Sequence, residues 1–208
     1  MMHHRSIIAA ATALLSLAWG ANEAAAAKPE IGQPAPAFTG KTATGGDLDL
    51  TKYRGKTVVL EWTNHDCPYV RKHYGAENMQ ALQKQAADDG VVWLSVISSA
   101  PGRQGYLEGP DALSEAAGKG AAPAEIVLDP EGTIGKMYDA RTTPHMYIVA
   151  PDGTLAYKGG IDDKPTANPA DIPGATNYVT LALAEMAAGK PVSNPSTRAY
   201  GCSVKYAW

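Results

Sequence analysis

The chain has 208 residues, 45% hydrophobic and 19% charged, which is the make-up of an ordinary globular protein and gives one domain as the expectation. The formal net charge is -3 and no basic block is present, so nucleic acid is excluded as an expected partner.

Residues 1–27 read as a targeting segment and not as part of the fold. A short, weakly basic start (Met1 to Arg5) precedes an apolar run from Ser6 to Ala18, and Ala25-Ala26-Ala27 supplies small residues for a signal peptidase. The apolar run is short for a membrane span and no second one follows, so no stable membrane insertion is expected after cleavage. The expectation is a mature chain starting near Lys28 in the periplasm or secreted, with a domain over 28–189 and a tail over 190–208. An uncleaved N-terminal anchor is the alternative.

In the mature part, Ile31 to Phe38 reads as an extended lead-in, and Gly45-Gly46 as a turn before an alternating strand at Asp47-Leu48-Asp49-Leu50. Tyr53-Arg54-Gly55-Lys56 turns into an apolar strand over 57–62. Helix is expected from Pro68 to Asp88, with Met79, Leu82 and Ala86 on one face, Gly75 kinking or splitting it and Gly90 ending it. Residues 91–97 form the next strand, completing a βαβ unit that should be parallel and right-handed. Residues 99–110 read as loop, 111–119 as a short helix, 126–129 as a strand and 133–139 as another short helix. A loop with Thr143-Pro144 leads into the strand ending at Val149, and Pro151-Asp152-Gly153-Thr154 turns it back antiparallel. Residues 159–176 read as loop, 177–188 as a helix, and the remainder, with Pro191 and Pro195, as a tail that carries Cys202.

Within this order one stretch carries chemistry. Strand 57–62 delivers Cys67 to a helix start, with Pro68 at the first helical position, where no N–H is needed. Helix N-terminal amides and the helix dipole stabilise a thiolate over a thiol, so Cys67 is the candidate nucleophile; an inert buried cysteine is the alternative. The chain's other cysteine is Cys202. A tail of 19 residues after Gly189 is long enough to fold back on the strand end. A resolving thiol, a static structural bridge and a free tail thiol all remain open for it. Beyond the targeting segment the histidines are His65, His73 and His145, each in or beside the two site loops. They are candidates for a base or for thiolate stabilisation, against chance clustering on loops. Arg71 and Lys72 add positive potential beside Cys67 and are expected to be exposed and screened.

The residues Gly32 to Phe38, Tyr53 to Lys56 before Val58 to Trp62, Cys67-Pro68, and Thr143-Pro144 before Tyr147-Ile148-Val149 together resemble the thioredoxin-like superfamily. The chain is most similar to its redoxin branch, which holds the alkyl hydroperoxide reductase/thiol-specific antioxidant proteins, and Asn64 to Val70 with Gly201 to Lys205 resemble a peroxiredoxin-like subgroup. The resemblance implies an α/β thioredoxin-like fold with a central mixed sheet flanked by helices. It implies a cis Thr143-Pro144 peptide facing the cysteine. It also implies a thiol oxidoreductase that reduces a peroxide or a protein disulfide, with an external thiol reductant and no cofactor or metal. Two departures stand out. Val70 occupies the second cysteine position of a Cys-x-x-Cys motif, and Leu60 and Asn64 occupy the proline and Thr/Ser positions of the peroxidase motif. Asn64 or Thr63 is then the candidate polar group beside the thiol, and Arg141 the nearest counterpart of the peroxidase arginine. Alternative readings are a redox-silent protein-binding module using the Pro144 groove, and a copper-handling protein.

Overall fold

The computed structural model describes residues 28–207, so the expected targeting segment lies outside the described residues. Strands β1 (Thr39–Thr42) and β2 (Asp47–Asp49) form the expected hairpin, and Asp49 then caps a 3-10 turn at Leu50–Tyr53 by accepting the Thr51 amide at 2.9 Å. The β-branched run 58–62 forms β3 (Val58–Trp62), helices α1 (Pro68–Gly75) and α2 (Asn78–Asp88) follow, and β4 (Val92–Ile97) returns parallel to β3. The helix read over 68–88 is therefore two helices. The break lies just after Gly75, where Glu77 takes a left-handed conformation with φ 56°.

Helix α3 (Gly109–Gly118), β5 (Glu125–Leu128) and α4 (Thr133–Met137) come next, each within two residues of its sequence reading. The short strand β6 (Thr142–Thr143) precedes β7 (His145–Val149), which pairs antiparallel with both β3 and β8 (Leu155–Gly159). A 3-10 turn at Pro169–Gly174 interrupts the segment read as loop, and α5 (Tyr178–Ala187) starts where Asn177 accepts the Thr180 amide at 3.0 Å.

The result is a mixed seven-stranded sheet in the order β2-β1-β5-β4-β3-β7-β8. Its central strands β3, β4 and β7 are buried on both faces, which is why they read as unbroken apolar runs. On one face Leu60, Trp62, Leu94 and Tyr147 pack with Phe38 and Tyr138. On the other Val59, Trp93, Met146 and Ile148 pack under α1, α2 and α5 through Val70, Met79 and Val179, and Cys67 belongs to this second cluster.

The tail, for which the sequence names no element, folds back on the domain. It runs beside β8, where the Lys158 amide donates to Pro195 O and the Thr197 amide to Lys158 O, each at 3.0 Å. It then forms β9 (Cys202–Ser203), antiparallel to β6 with Cys202 opposite Thr143. Beyond β9 the Val204 amide donates to Arg141 O at 3.0 Å and the Tyr206 hydroxyl to Ala140 O at 2.7 Å. Main-chain bonds thus hold the tail on both sides of Cys202.

Candidate active site

Cys67 stands at the N-cap of α1 with extended backbone, and Pro68 takes the first helical turn. Asn64 builds the approach. Its carbonyl accepts the Cys67 amide at 3.0 Å, its side-chain oxygen accepts the Asp66 amide at 2.9 Å, and its side-chain amide donates to Gln104 O at 3.2 Å. With those bonds made and only 1% of its surface exposed, Asn64 shapes the loop. Thr63 donates its amide to Val96 O at 3.0 Å, continuing the β3–β4 ladder.

The Cys67 side chain is fully buried, and its thiol donates to the Thr143 carbonyl at 3.1 Å. The Thr143–Pro144 peptide is cis, as the resemblance implies. β9 lays Cys202 against the same residue, so Thr143 joins both sulfurs in one small site. Both cysteines are free thiols, Cys67 buried and Cys202 half-buried.

Burial opposes a charged sulfur at Cys67, but hydrogen bonds from the Cys202 thiol, the Thr143 hydroxyl and the Val70 amide outweigh it, and the Cys67 thiol is held below its ordinary range. Thr143 therefore acts in two ways. Its carbonyl receives the neutral thiol, and its hydroxyl, buried with no other partner, is free to donate to the thiolate. Cys202 shifts the opposite way: burial and the neighbouring Cys67 sulfur push it up to about 11. The pair can hold one negative charge, on Cys67, with Cys202 as its proton donor.

The other candidates lie apart from the sulfurs. His145 Nδ1 accepts from the Arg141 amide at 3.3 Å and lies 3.2 Å from the Tyr147 hydroxyl, which donates to Tyr138 O, and burial lowers the His145 pKa to about 4. Arg141 is exposed and pairs with Asp139 at 2.8 Å. Both side chains face a pocket of about 390 Å³ that Cys67 does not line. His65 lies 3.4 Å from Asp66 at the loop surface. His73 is fully buried in a polar cluster at the far end of α1, its pKa lowered to about 4, chiefly by burial. Lys72, expected to be exposed, is 2% exposed in the same cluster, because the loop after β8 closes over α1 and Lys72 Nζ donates to Lys164 O at 2.9 Å. Among the described residues no group of three or more His, Cys, Asp or Glu side chains is placed to hold a metal ion.

One buried group has no assigned role in the sequence reading. Glu61, inside the apolar run of β3, is completely buried and accepts from Trp93 Nε1 at 2.9 Å, Ser95 Oγ at 3.1 Å, the Tyr74 hydroxyl at 3.1 Å and Gln83 Nε2 at 3.4 Å. Burial raises its pKa despite these donors. A charged residue in the middle of a strand buried on both faces was the available signal.

Residues 31–158 match the model of the AhpC/TSA family. No curated protein sequence matches the chain. Among solved structures, an uncharacterized conserved protein from Geobacillus kaustophilus is similar with a TM-score of 0.73 at 22% identity, over 86% of this chain and 93% of that one. A hypothetical protein from Sinorhizobium meliloti 1021 has a TM-score of 0.71 at 18% identity, over 87% and 97%. A putative thiol:disulfide interchange protein DsbE from Chlorobium tepidum has a TM-score of 0.52 at 21% identity, over 63% and 85%. At these identities the likeness is one of fold: a thioredoxin-like mixed sheet flanked by helices.

Proposed function

Since the chain belongs to the AhpC/TSA family, we propose that it is a thiol oxidoreductase with Cys67 as nucleophile and Cys202 as the thiol that resolves its adduct. The observation that carries this reading is the pairing of Cys202 with Thr143, whose carbonyl receives the Cys67 thiol. Val70 leaves α1 without a local second cysteine, and β9 supplies one from the tail.

The chemistry runs as follows. The Cys67 thiolate attacks a peroxide oxygen or a disulfide sulfur, giving a sulfenic acid or a mixed disulfide and releasing an alkoxide, hydroxide or thiolate. Loss of the charge on Cys67 removes part of what holds the proton on Cys202. Cys202 gives that proton up and attacks the Cys67 sulfur, forming Cys67–Cys202 and expelling water or a thiol. An external thiol then returns the pair to its reduced form. Export to the periplasm or cell exterior suits such a cycle, and no helix among the described residues is long and apolar enough to cross a membrane.

Mass spectrometry of the protein after a pulse of peroxide tests the reading. The expected products are a Cys67 sulfenic acid that decays into a Cys67–Cys202 disulfide. Unchanged peroxide and disulfide turnover in Cys67→Ser would overturn it.

A further inference from the structure

The polar cluster at the C-terminal end of α1 takes no part in the chemistry above, yet it is tied to the tail next to Cys202. Asp162, in the loop after β8, is 3% exposed. Its Oδ1 accepts the Tyr200 hydroxyl at 2.5 Å and the Lys164 amide at 2.9 Å. Its Oδ2 lies 3.6 Å from Lys72 Nζ and 3.8 Å from His73 Nε2. His73 Nε2 is 3.4 Å from the Tyr200 hydroxyl, and Asn78 holds the other ring nitrogen at 2.9 Å. The Tyr200 ring packs edge-on against Tyr69, centroids 5.9 Å apart, with Lys72 Nζ 5.7 Å from its centre. Tyr200 is thus fixed to the same helix that presents Cys67.

Between Tyr200 and Cys202 lies Gly201, at φ 136°. A Cβ there would fall 2.0 Å from the Thr143 carbonyl oxygen and 2.7 Å from its carbon. Those are backbone atoms beside a paired strand and cannot yield as a flexible side chain would. The same carbonyl oxygen receives the Cys67 thiol. A side chain at position 201 would therefore lift the tail from the residue both sulfurs share.

We infer that Tyr200 and Gly201 are the positioning residues that deliver Cys202 to Cys67: the hydroxyl of Tyr200 anchors the tail to α1 through Asp162, and the bare backbone of Gly201 lets Cys202 lie on Thr143. The inference rests on Cys202 being the resolving thiol. It assigns the cluster at Lys72, His73 and Asp162 a part in that step, through the tail and not by contact with a sulfur.

The test measures how readily Cys202 closes on Cys67, without peroxide. The full-length mature protein is equilibrated in mixtures of oxidised and reduced glutathione. Cys67 thiolate attacks oxidised glutathione and releases one glutathione thiolate; Cys202 loses its proton, attacks Cys67, and releases the second. Two protein thiols are oxidised and one oxidised glutathione becomes two reduced ones. The fraction of Cys67–Cys202 disulfide, against Cys67–glutathione mixed disulfide, gives the effective concentration of Cys202. Tyr200→Phe should lower it about tenfold and Gly201→Ala further, with the mixed disulfide accumulating. Tyr74→Phe, which removes a buried hydroxyl from the Glu61 cluster, a hydrogen-bonded group with no member in the tail, serves as the structural control. It should lower the unfolding midpoint and leave the effective concentration unchanged. Wild-type values in both tail variants, or an equal loss in Tyr74→Phe, would overturn the positioning role. Failure of the wild type to form Cys67–Cys202 at any glutathione ratio would instead overturn the resolving role of Cys202, and the inference with it.

Discussion

Two carboxylates lie buried on the α1 side of the sheet, and they are held in opposite ways. Glu61 is surrounded by neutral donors from β4, α1 and α2: an indole, two hydroxyls and a side-chain amide. Asp162 sits among an ammonium, an imidazole and a phenol. The first cluster joins elements that the sheet and helices already hold together. The second joins α1 to a loop and to the tail, elements with little regular structure between them. Neutral donors suffice where packing fixes the geometry, whereas a charged pair is found where the chain itself supplies few constraints. The difference also places the two clusters differently toward the thiols, since Tyr200, two residues from Cys202, belongs to the second.

The largest effect that would break this comparison is removal of the Asp162 charge. Asp162→Ala leaves the Lys72 ammonium, with no side-chain exposure, without its carboxylate, and should cost roughly 3–5 kcal/mol in urea unfolding. A loss under 1 kcal/mol would mean that the ion pair is not what secures this end of α1. Acid should act in the same direction. His73 and His145 each have a folded pKa of about 4 against an ordinary 6.5. The unfolded chain then binds more protons between these values, so stability present above pH 6.5 is lost as pH falls toward 4, by up to about 3 kcal/mol for each. Measured by unfolding at a series of pH values, His145→Asn should flatten that slope by its own share.

Glu61 should give a slope of the other sign. Its folded pKa is raised, so the folded state keeps a proton that the unfolded state releases. Its contribution is full below the ordinary carboxylate pKa and fades as pH rises through the folded value. Glu61→Leu should remove this decline, and a variant that declines as the wild type does would place its source elsewhere. The smallest effect concerns the thiols. Cys202→Ala removes a donor to the Cys67 sulfur, so the pH midpoint for alkylation of Cys67 should move up. Reciprocally, Cys67→Ala should bring the Cys202 midpoint down from about 11. Unmoved midpoints in both variants would show that the sulfurs do not share a proton.

Much of the architecture was legible because its signals are local. The run Val58-Val59-Leu60 announces a strand buried on both faces, and Cys67-Pro68 announces a helix start whatever lies around it. Gly75 marked the weak point of the long helix, although the left-handed residue is Glu77, which no local rule singles out. The site was half legible. Cys67 follows from its place between strand and helix, and Cys202 could be offered as a partner on the reach of the tail and the resemblance of Gly201 to Lys205. Its seat opposite Thr143 depends on Gly201 fitting against a carbonyl from a distant strand. Lys72 was misplaced for the same kind of reason. A lysine in an early helical turn reads as solvated, and its burial comes from a loop 92 residues further along that closes over it. The Asp162 cluster draws on α1, that loop and the tail, three segments that no periodicity connects.

The seat of β9 on β6 also joins two balances that are usually treated separately. Positions 67 and 202 are far apart in sequence, so a bond between their sulfurs would close a loop of more than 100 residues. Closing so long a loop removes freedom from the unfolded chain worth about 4–5 kcal/mol. By linkage, whatever the bond adds to folding, folding adds to the bond. The oxidised protein would then be the harder one to unfold, and any lesion that loosens the tail would make the same pair easier to reduce. The stability that the bond adds and the pair's resistance to reduction become two readings of one quantity, set by how firmly a few residues of tail lie on Thr143.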